Sequence, residues 1–284
     1  MKKYFIRFVF LFISLSFSFG NIINVPADAW SIQNGIDIAT EGDTVLVAPG
    51  TYYENVNASK TITLASLYLT TQDTNYIHQT IIDGYDNGPV INIGSQSPLI
   101  LGFKIQNGNG GGNYQAGGGG IMITSGGTNT VIASCIITNN TSDHGGGIGG
   151  NYGGVVTFDN CKIYNNTATG ESSHSGDAIY NWNTTMIFSN CLIRDNDEYD
   201  QSTNRFDVGS SSYWGGIFTF ENCKFLNSGI IADIPVTINN CLFNSSIFVG
   251  GGNNWVDINY STFYNTTFSP NNNTDVNIIG SIIW

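Results

Sequence analysis

Charge is the scarcest commodity in this sequence. Only 11% of its 284 residues are charged, 9 basic against 21 acidic, for a formal net charge of −12. So few cations exclude nucleic acid as a partner, because a phosphate backbone calls for a basic surface. Beyond the first twenty residues no stretch is long and apolar enough to span a membrane. His144 and His174 stand thirty residues apart without a ligand-spaced partner, which excludes a zinc site. The glycine runs 117–120 and 145–147 lack the Lys-Ser/Thr of a phosphate loop. Helical periodicity is missing between the apolar segments, so a doubly wound α/β fold is unsupported.

What the chain does have is a repeat. The clearest copy is Val155 to Asn165, V-V-T-F-D-N-C-K-I-Y-N. With Cys161 as position 0, equivalent places are Phe103, Cys135, Cys191, Cys223, Cys241, Ser261 and Ser281. Position −3 is Ile or Phe in every copy, from Ile100 through Phe158 to Ile278, and position +2 is Ile or Phe from Ile105 to Ile283. Position +4 is Asn107, Asn139, Asn165, Asp195, Asn227, Ser245 and Asn265. Apolar residues alternating with polar ones mark strands with one buried face. Asn and Asp after each strand tolerate the left-handed backbone of a sharp bend. Such copies predict a right-handed parallel β-helix: all-β, a solenoid of nine or ten coils with internal side-chain ladders and an Asn ladder at the bend. A β-propeller is the competing architecture, but it requires four antiparallel strands and tight hairpins per period, which the template lacks.

The five cysteines share one register, Cys135, Cys161, Cys191, Cys223 and Cys241. In-register side chains point in parallel rather than at one another, and the count is odd, so buried free thiols are expected rather than disulfides. Ser261 and Ser281 in the same slot fit a small-residue position.

Residues 1–20 carry Lys2, Lys3 and Arg7 ahead of a Phe/Leu/Ile-rich run and read as a secretory signal peptide. Residues 21–284 are then the β-helix. Residues 28–40 predict a short capping helix with Asp28 as N-cap and Ile32, Ile36 and Ala39 on its apolar side. Residues 42–56 read as strand, Pro49-Gly50 turn, strand. The chain stops at Ser281-Ile-Ile-Trp284, inside a template copy, and is expected to be part of a longer protein.

The run S-I-Q-N-G-I-D-I-A followed by G-D-T-V-L-V-A-P-G-T-Y-Y-E-N-V resembles the opening of right-handed parallel β-helix proteins of the pectin-lyase-like superfamily. The segments I-Y-N-N-T-A (163–168), S-G-D-A-I-Y (175–180) and G-G-G-I (145–148) resemble repeats of polymorphic outer-membrane proteins. The resemblance implies the fold strongly and the function weakly, because this architecture carries lyases, hydrolases, esterases, adhesins and inert stalks. The D-D, G-H-G and R-I-K motifs of polygalacturonase-like enzymes, the R-x-P-x-x-R of pectate lyases and the G-x-x-D-F-I-F-G of pectin methylesterases are absent.

Successive zero positions lie 32, 26, 30, 32, 18, 20 and 20 residues apart. The extra length falls in 108–117, 141–145, 167–175 and 197–214, which predicts loops thrown from one edge. That edge carries the candidate site residues. Asp143, His144, His174 and Asp177 are the candidates for acid/base work. Arg205, Tyr213 and Trp214 are the candidates for sugar contact, and Asp197, Glu198, Asp200 and Asp207 for Ca²⁺, although no EF-hand spacing is present. The expected function is a secreted or surface-displayed bacterial protein, non-catalytic, that binds a polysaccharide or cell-surface glycan or mediates adhesion. The alternative is a polysaccharide lyase or glycoside hydrolase acting in a groove formed by loops 141–145, 167–175 and 197–214.

Overall fold

A computed structural model describes residues 20–111, 117–125, 129–170, 176–196, 206–210, 215–245, 247–250, 255–268 and 275–284. Within them the chain is a parallel β-helix. Three parallel sheets of eleven, ten and nine strands run its length, and each successive coil adds a strand to each sheet in turn. The first sheet contains eleven rungs, so the stack is about 48 Å long at the parallel spacing. That exceeds the nine or ten coils expected, because Ile22–Val25 and Thr44–Val47, which lack the full template, pair onto the stack as well.

The registers are those the template requires. Position −3 pairs in the eleven-stranded sheet: Ile100 with Ile132, Ile132 with Phe158, Phe158 with Phe188, and Phe188 with Phe220. Position +2 pairs in the ten-stranded sheet, from Ile105 and Ile137 to Phe243 and Phe263. Repeating an aromatic residue at a fixed register brings rings face to face. Phe158 and Phe188 stack at 4.7 Å, Phe225 and Phe243 at 4.4 Å, and Phe243 and Phe263 at 4.7 Å. Each of these rings is buried, which stabilises the stack by roughly 1.5–3 kcal/mol per side chain.

Two bends shape each coil, and both use left-handed backbone. At position +4 the φ angles of Asn107, Asn139, Asn165, Asp195, Asn227, Ser245 and Asn265 all lie between 47° and 56°. A second bend at position −1 has the same conformation in Ser134, Asn160, Asn190, Asn222, Asn240 and Tyr260, with glycine at Gly102 and Gly280. The stacked Asn ladder expected at +4 is better developed one residue later. Asn140, Asn166 and Asn196 at +5 are buried, and the amides link each coil to the next: Asn140 Nδ2 donates to Asn166 Oδ1 at 3.0 Å, and Asn166 Nδ2 to Asn196 Oδ1 at 2.9 Å. The left-handed residue turns the chain, and its successor therefore points inward.

The five cysteines are buried free thiols at position 0. Each Sγ donates to backbone carbonyls, as Cys161 does to Ile132 and Asp159 at 3.5 Å. Burial pushes the Cys135 thiol above its ordinary range, and neighbouring Cys161 pushes in the same direction.

The capping helix is shorter than residues 28–40. Helix α1 spans Ile32–Ile38, and its N-cap is Ser31, whose Oγ accepts from the Asn34 N–H at 3.0 Å. Asp28 is engaged elsewhere: its Oδ2 accepts from the Asn24 backbone N–H at 2.8 Å and side-chain Nδ2 at 2.9 Å, closing the turn before the helix. Glu54 accepts from the free N–H groups of Ile32 and Gln33, both at 2.9 Å, which suits a carboxylate at a helix start. Strands Thr44–Val47 and Gly50–Tyr53 follow as expected. Helices α2 (Tyr68–Thr71) and α3 (Asn75–Gln79) form an insertion with no counterpart in the sequence reading, and α3 packs on strands Thr80–Asp83 and Lys104–Gln106.

Candidate functional site

At the loop edge the structure describes four of the predicted residues. His174, Asp197, Glu198, Asp200, Arg205, Tyr213 and Trp214 lie outside the described residues. The four that are seen sit where each coil enters the nine-stranded sheet. Gly118, Gly145 and Gly176 stand three residues before Ile121, Ile148 and Ile179. A Cβ on any of them would meet the carbonyl of that Ile at 1.8–2.3 Å, which is why G-x-x-I recurs.

His144 is buried at this crossing, with its ring 4.8 Å from that of Tyr180 on the next coil. Burial holds its imidazole below the ordinary histidine value, against an opposing pull from Asp143. Asp143 accepts from Thr169 Oγ1 at 3.1 Å. Asp177 replaces the glycine of the G-G-G-I copies and is 1% exposed; its Oδ1 accepts from the Ala168 N–H at 2.7 Å, a structural bond. Asp207 is buried in strand Phe206–Ser210, which pairs with Gly176–Asn181 through a register shift near Asp177. Among the described residues no group of three or more His, Cys, Asp or Glu side chains could hold a metal ion. The tripeptide Asn273-Thr274-Asp275 matches the N-T-D motif of polygalacturonase-like enzymes. It has none of that motif's companions, and Asp275 opens an exposed strand, Asp275–Ile279.

A different surface gathers the cations. The outward positions of the ten-stranded sheet are +1 and +3. From strand Lys104–Gln106 to strand Thr262–Tyr264, position +1 reads Lys104, Ile136, Lys162, Leu192, Lys224, Leu242 and Thr262. Position +3 reads Gln106, Thr138, Tyr164, Arg194, Leu226, Asn244 and Tyr264. No acid occurs in either row. Four of the six basic residues after position 20 (Lys60, Lys104, Lys162, Arg194, Arg205, Lys224) therefore face out of one sheet of an acidic protein. Lys104, Lys162 and Lys224 share a register on alternate strands, roughly 10 Å apart. None of the three forms an ion pair among the described residues. Arg194 lies 4.9 Å from the Tyr164 ring centroid and pairs with Asp195. Asp195 itself is held below the usual carboxylate range, first by the Asn227 amide and then by Arg194. Tyr260 and Tyr264 are 69% and 58% exposed at the far end.

Among the described residues, two concavities lie on this face, both beside the −1 bend. One, of about 160 Å³, is lined by Thr74, Ile77 and His78 of the helical insertion and by Ser134, Ile136, Asn160 and Lys162. The other, of about 420 Å³, surrounds Lys224 between Asn222, Asn240 and Tyr260. The sequence held the signal for this face in the lysines recurring at +1.

No family model matches the chain, and no curated protein matches it. Among solved structures it is similar to the pectin methylesterase PemA from Erwinia chrysanthemi, at 11% identity and a TM-score of 0.45, covering 91% of this chain and 93% of that one. It is similar to an alginate lyase from Paenibacillus sp. str. FPU-7, at 13% identity and a TM-score of 0.40, over 92% and 99% of the two chains. It is also similar to Escherichia coli ybhc, at 12% identity and a TM-score of 0.45, over 95% and 86%. Likeness at this level carries no argument about chemistry.

Proposed function

We propose that this chain is a non-catalytic, glycan-binding β-helix that works outside the bacterial cell and uses the outer face of its ten-stranded sheet. The observation that carries the reading is the gathering of Lys162, Arg194 and Lys224, with Tyr164 and Tyr264, on the open part of one sheet's outer face in a chain with a net charge of −12, where the neighbouring acid, Asp195, is paired to Arg194. Aromatic faces stack on sugar rings, and fixed cations and amides supply polar contacts along an extended polymer. A DNA duplex presents one charge per about 1.7 Å, far denser than cations roughly 10 Å apart, whereas an extended acidic glycan presents a charge every sugar or two.

The test is binding of residues 21–284 to a glycan array, followed by reducing-end release from the bound polymers with Ca²⁺ and with chelator. Binding without release is the expected result. Release would replace this reading with a lyase or hydrolase at the 141–145, 167–175 and 197–214 loops, and release abolished by chelator would assign Ca²⁺ to them. Absence of binding to every glycan would overturn the proposal.

A further inference from the structure

The open face is not symmetrical along its length. Helix α3 stands on strands Thr80–Asp83 and Lys104–Gln106, so it covers the first part of the ten-stranded sheet. Strand Ile136–Thr138 is buried, and the open part runs from strand Lys162–Tyr164 toward strand Thr262–Tyr264. The smaller concavity sits where α3 meets the open part. Its floor is Ile136 with the Ser134 and Asn160 bend residues, and its wall is Thr74, Ile77 and His78. Ile77 is buried against the sheet, which fixes α3 in place, while His78 and Lys162 are exposed at the rim.

The lining has a definite chemical sense. It contains a primary ammonium (Lys162), an imidazole (His78), a hydroxyl (Thr74) and an amide (Asn160), and no carboxylate. Asn160 Nδ2 donates to Ser134 Oγ at 3.1 Å, so the floor is ordered before anything binds. The volume of about 160 Å³ equals roughly five waters of liquid, enough for one ring and its substituents but not for an extended chain. A polymer lying on the lysine row would meet α3 here and could not continue.

We infer that the pocket between α3 and the Ser134 and Asn160 bends is an end site: it takes the terminal, carboxylate-bearing sugar of a glycan, and the next residues of that glycan lie along the face toward Arg194 and Lys224. This inference rests on the proposed glycan-binding role and adds both a direction and an end group to it. The ammonium of Lys162 and the ring N–H of His78 hold the carboxylate, and Ile77 with Ile136 supports the ring face.

The test uses residues 21–284 and calorimetric titration with three probes: a free monosaccharide uronate, the matching neutral hexose, and an oligouronate of four to six residues. Lys162→Ala, His78→Ala and Lys224→Ala are compared with the wild type. All three side chains are on the surface or rim, and unchanged melting temperatures verify that the variants are folded. The uronate is expected to bind and the hexose not to bind. Lys162→Ala should weaken the uronate about tenfold, the equivalent of one charge-assisted contact. Lys224→Ala should leave the monosaccharide unchanged and weaken only the oligomer. Blocking the terminal carboxylate of the oligomer as an amide should cost as much as Lys162→Ala.

Oligomer binding that ignores Lys162→Ala and terminal amidation would overturn the end site and leave the face reading standing. Monosaccharide binding with no gain from the oligomer would support the pocket and overturn the face. Inorganic phosphate displacing the uronate with equal affinity would reduce the pocket to an anion site and overturn the assignment of a sugar end. Absence of binding by both uronate probes would overturn the end site.

Discussion

Asn166 offers the sharpest test of the stacking argument. It is fully buried at position +5. Its Oδ1 accepts from the backbone N–H of Asn140 at 3.1 Å and from Asn140 Nδ2 at 3.0 Å. Its Nδ2 donates to the carbonyls of Ile137 and Tyr164 and to Asn196 Oδ1, at 3.0, 3.1 and 2.9 Å. Asn166→Ala removes all five bonds. The Asn140 amide keeps a second acceptor in the Ile105 carbonyl, and Asn196 Oδ1 keeps the Asn166 backbone N–H. The Asn140 backbone N–H loses its side-chain acceptor without such a substitute, and the Ile137 and Tyr164 carbonyls each lose a side-chain donor. One buried N–H left unpaired costs about 1–3 kcal/mol, and the lost bonds to the two carbonyls bring the destabilisation to about 2–6 kcal/mol. For a chain of this size that corresponds to a fall in melting temperature of roughly 5–15 °C. Asn165→Gly is the control. Asn165 is exposed with φ of 54°, a conformation glycine adopts freely, so the change should cost under about 1 kcal/mol. Thermal melts of the two variants decide the matter. If Asn166→Ala melts within a degree or two of the wild type, or if Asn165→Gly is the more damaging, the assignment of the ladder to +5 is wrong.

The other predictions concern the core and the crossing at His144. Phe243→Ala removes the middle ring of the Phe225, Phe243 and Phe263 stack and should cost about 3–5 kcal/mol by denaturant titration, since solenoid coils cannot collapse onto the gap. Gly149→Ala would place a Cβ 0.9 Å from the Gly117 carbonyl oxygen, so the variant should lose at least ~2 kcal/mol and expose the 117–118 crossing to hydrogen exchange. All five thiols should resist a thiol reagent in the native protein and react together on unfolding; fast reaction of any one in the native state would contradict its burial. The lowered pKa of His144 has a definite sign. The unfolded chain takes up the proton first, so the contribution of His144 is complete above the ordinary histidine value and is lost as the pH falls through it toward the folded value. A melting-temperature profile should slope downward on acidification from about pH 6.5, and His144→Gln should flatten it.

The fold was legible because a solenoid stacks each coil on its neighbour with one register, so residues 18 to 32 apart in sequence become spatial neighbours. Phe158, Phe188 and Phe220 could thus be placed together without coordinates. The cap was less legible: Asp28 and Ser31 are both good N-cap residues, and only the turn that ties Asp28 to Asn24 decides for Ser31. The helical insertion was missed because α2 and α3 have four and five residues, too short for a periodic pattern. Of the candidate site residues only Asp143, His144, Asp177 and Asp207 lie among the described residues. Loop length drew attention to Asp143, His144 and Asp177, but at least Asp177 is occupied with a backbone amide. The lysines at +1 were visible as letters, yet each stood alone among polar neighbours.

The sequence by itself determined the architecture, the inward rows at −3, 0 and +2, the thiol column and the left-handed bend at +4. These are local consequences of alternation and of which residues accept positive φ, repeated until they add up. The tertiary structure alone decided that the buried Asn ladder runs through +5 and that α3 closes one end of the lysine face. Those facts depend on which way a side chain points after a bend and on where an insertion comes to rest. Both are set by the packing of one coil against the next, not by any single copy of the repeat.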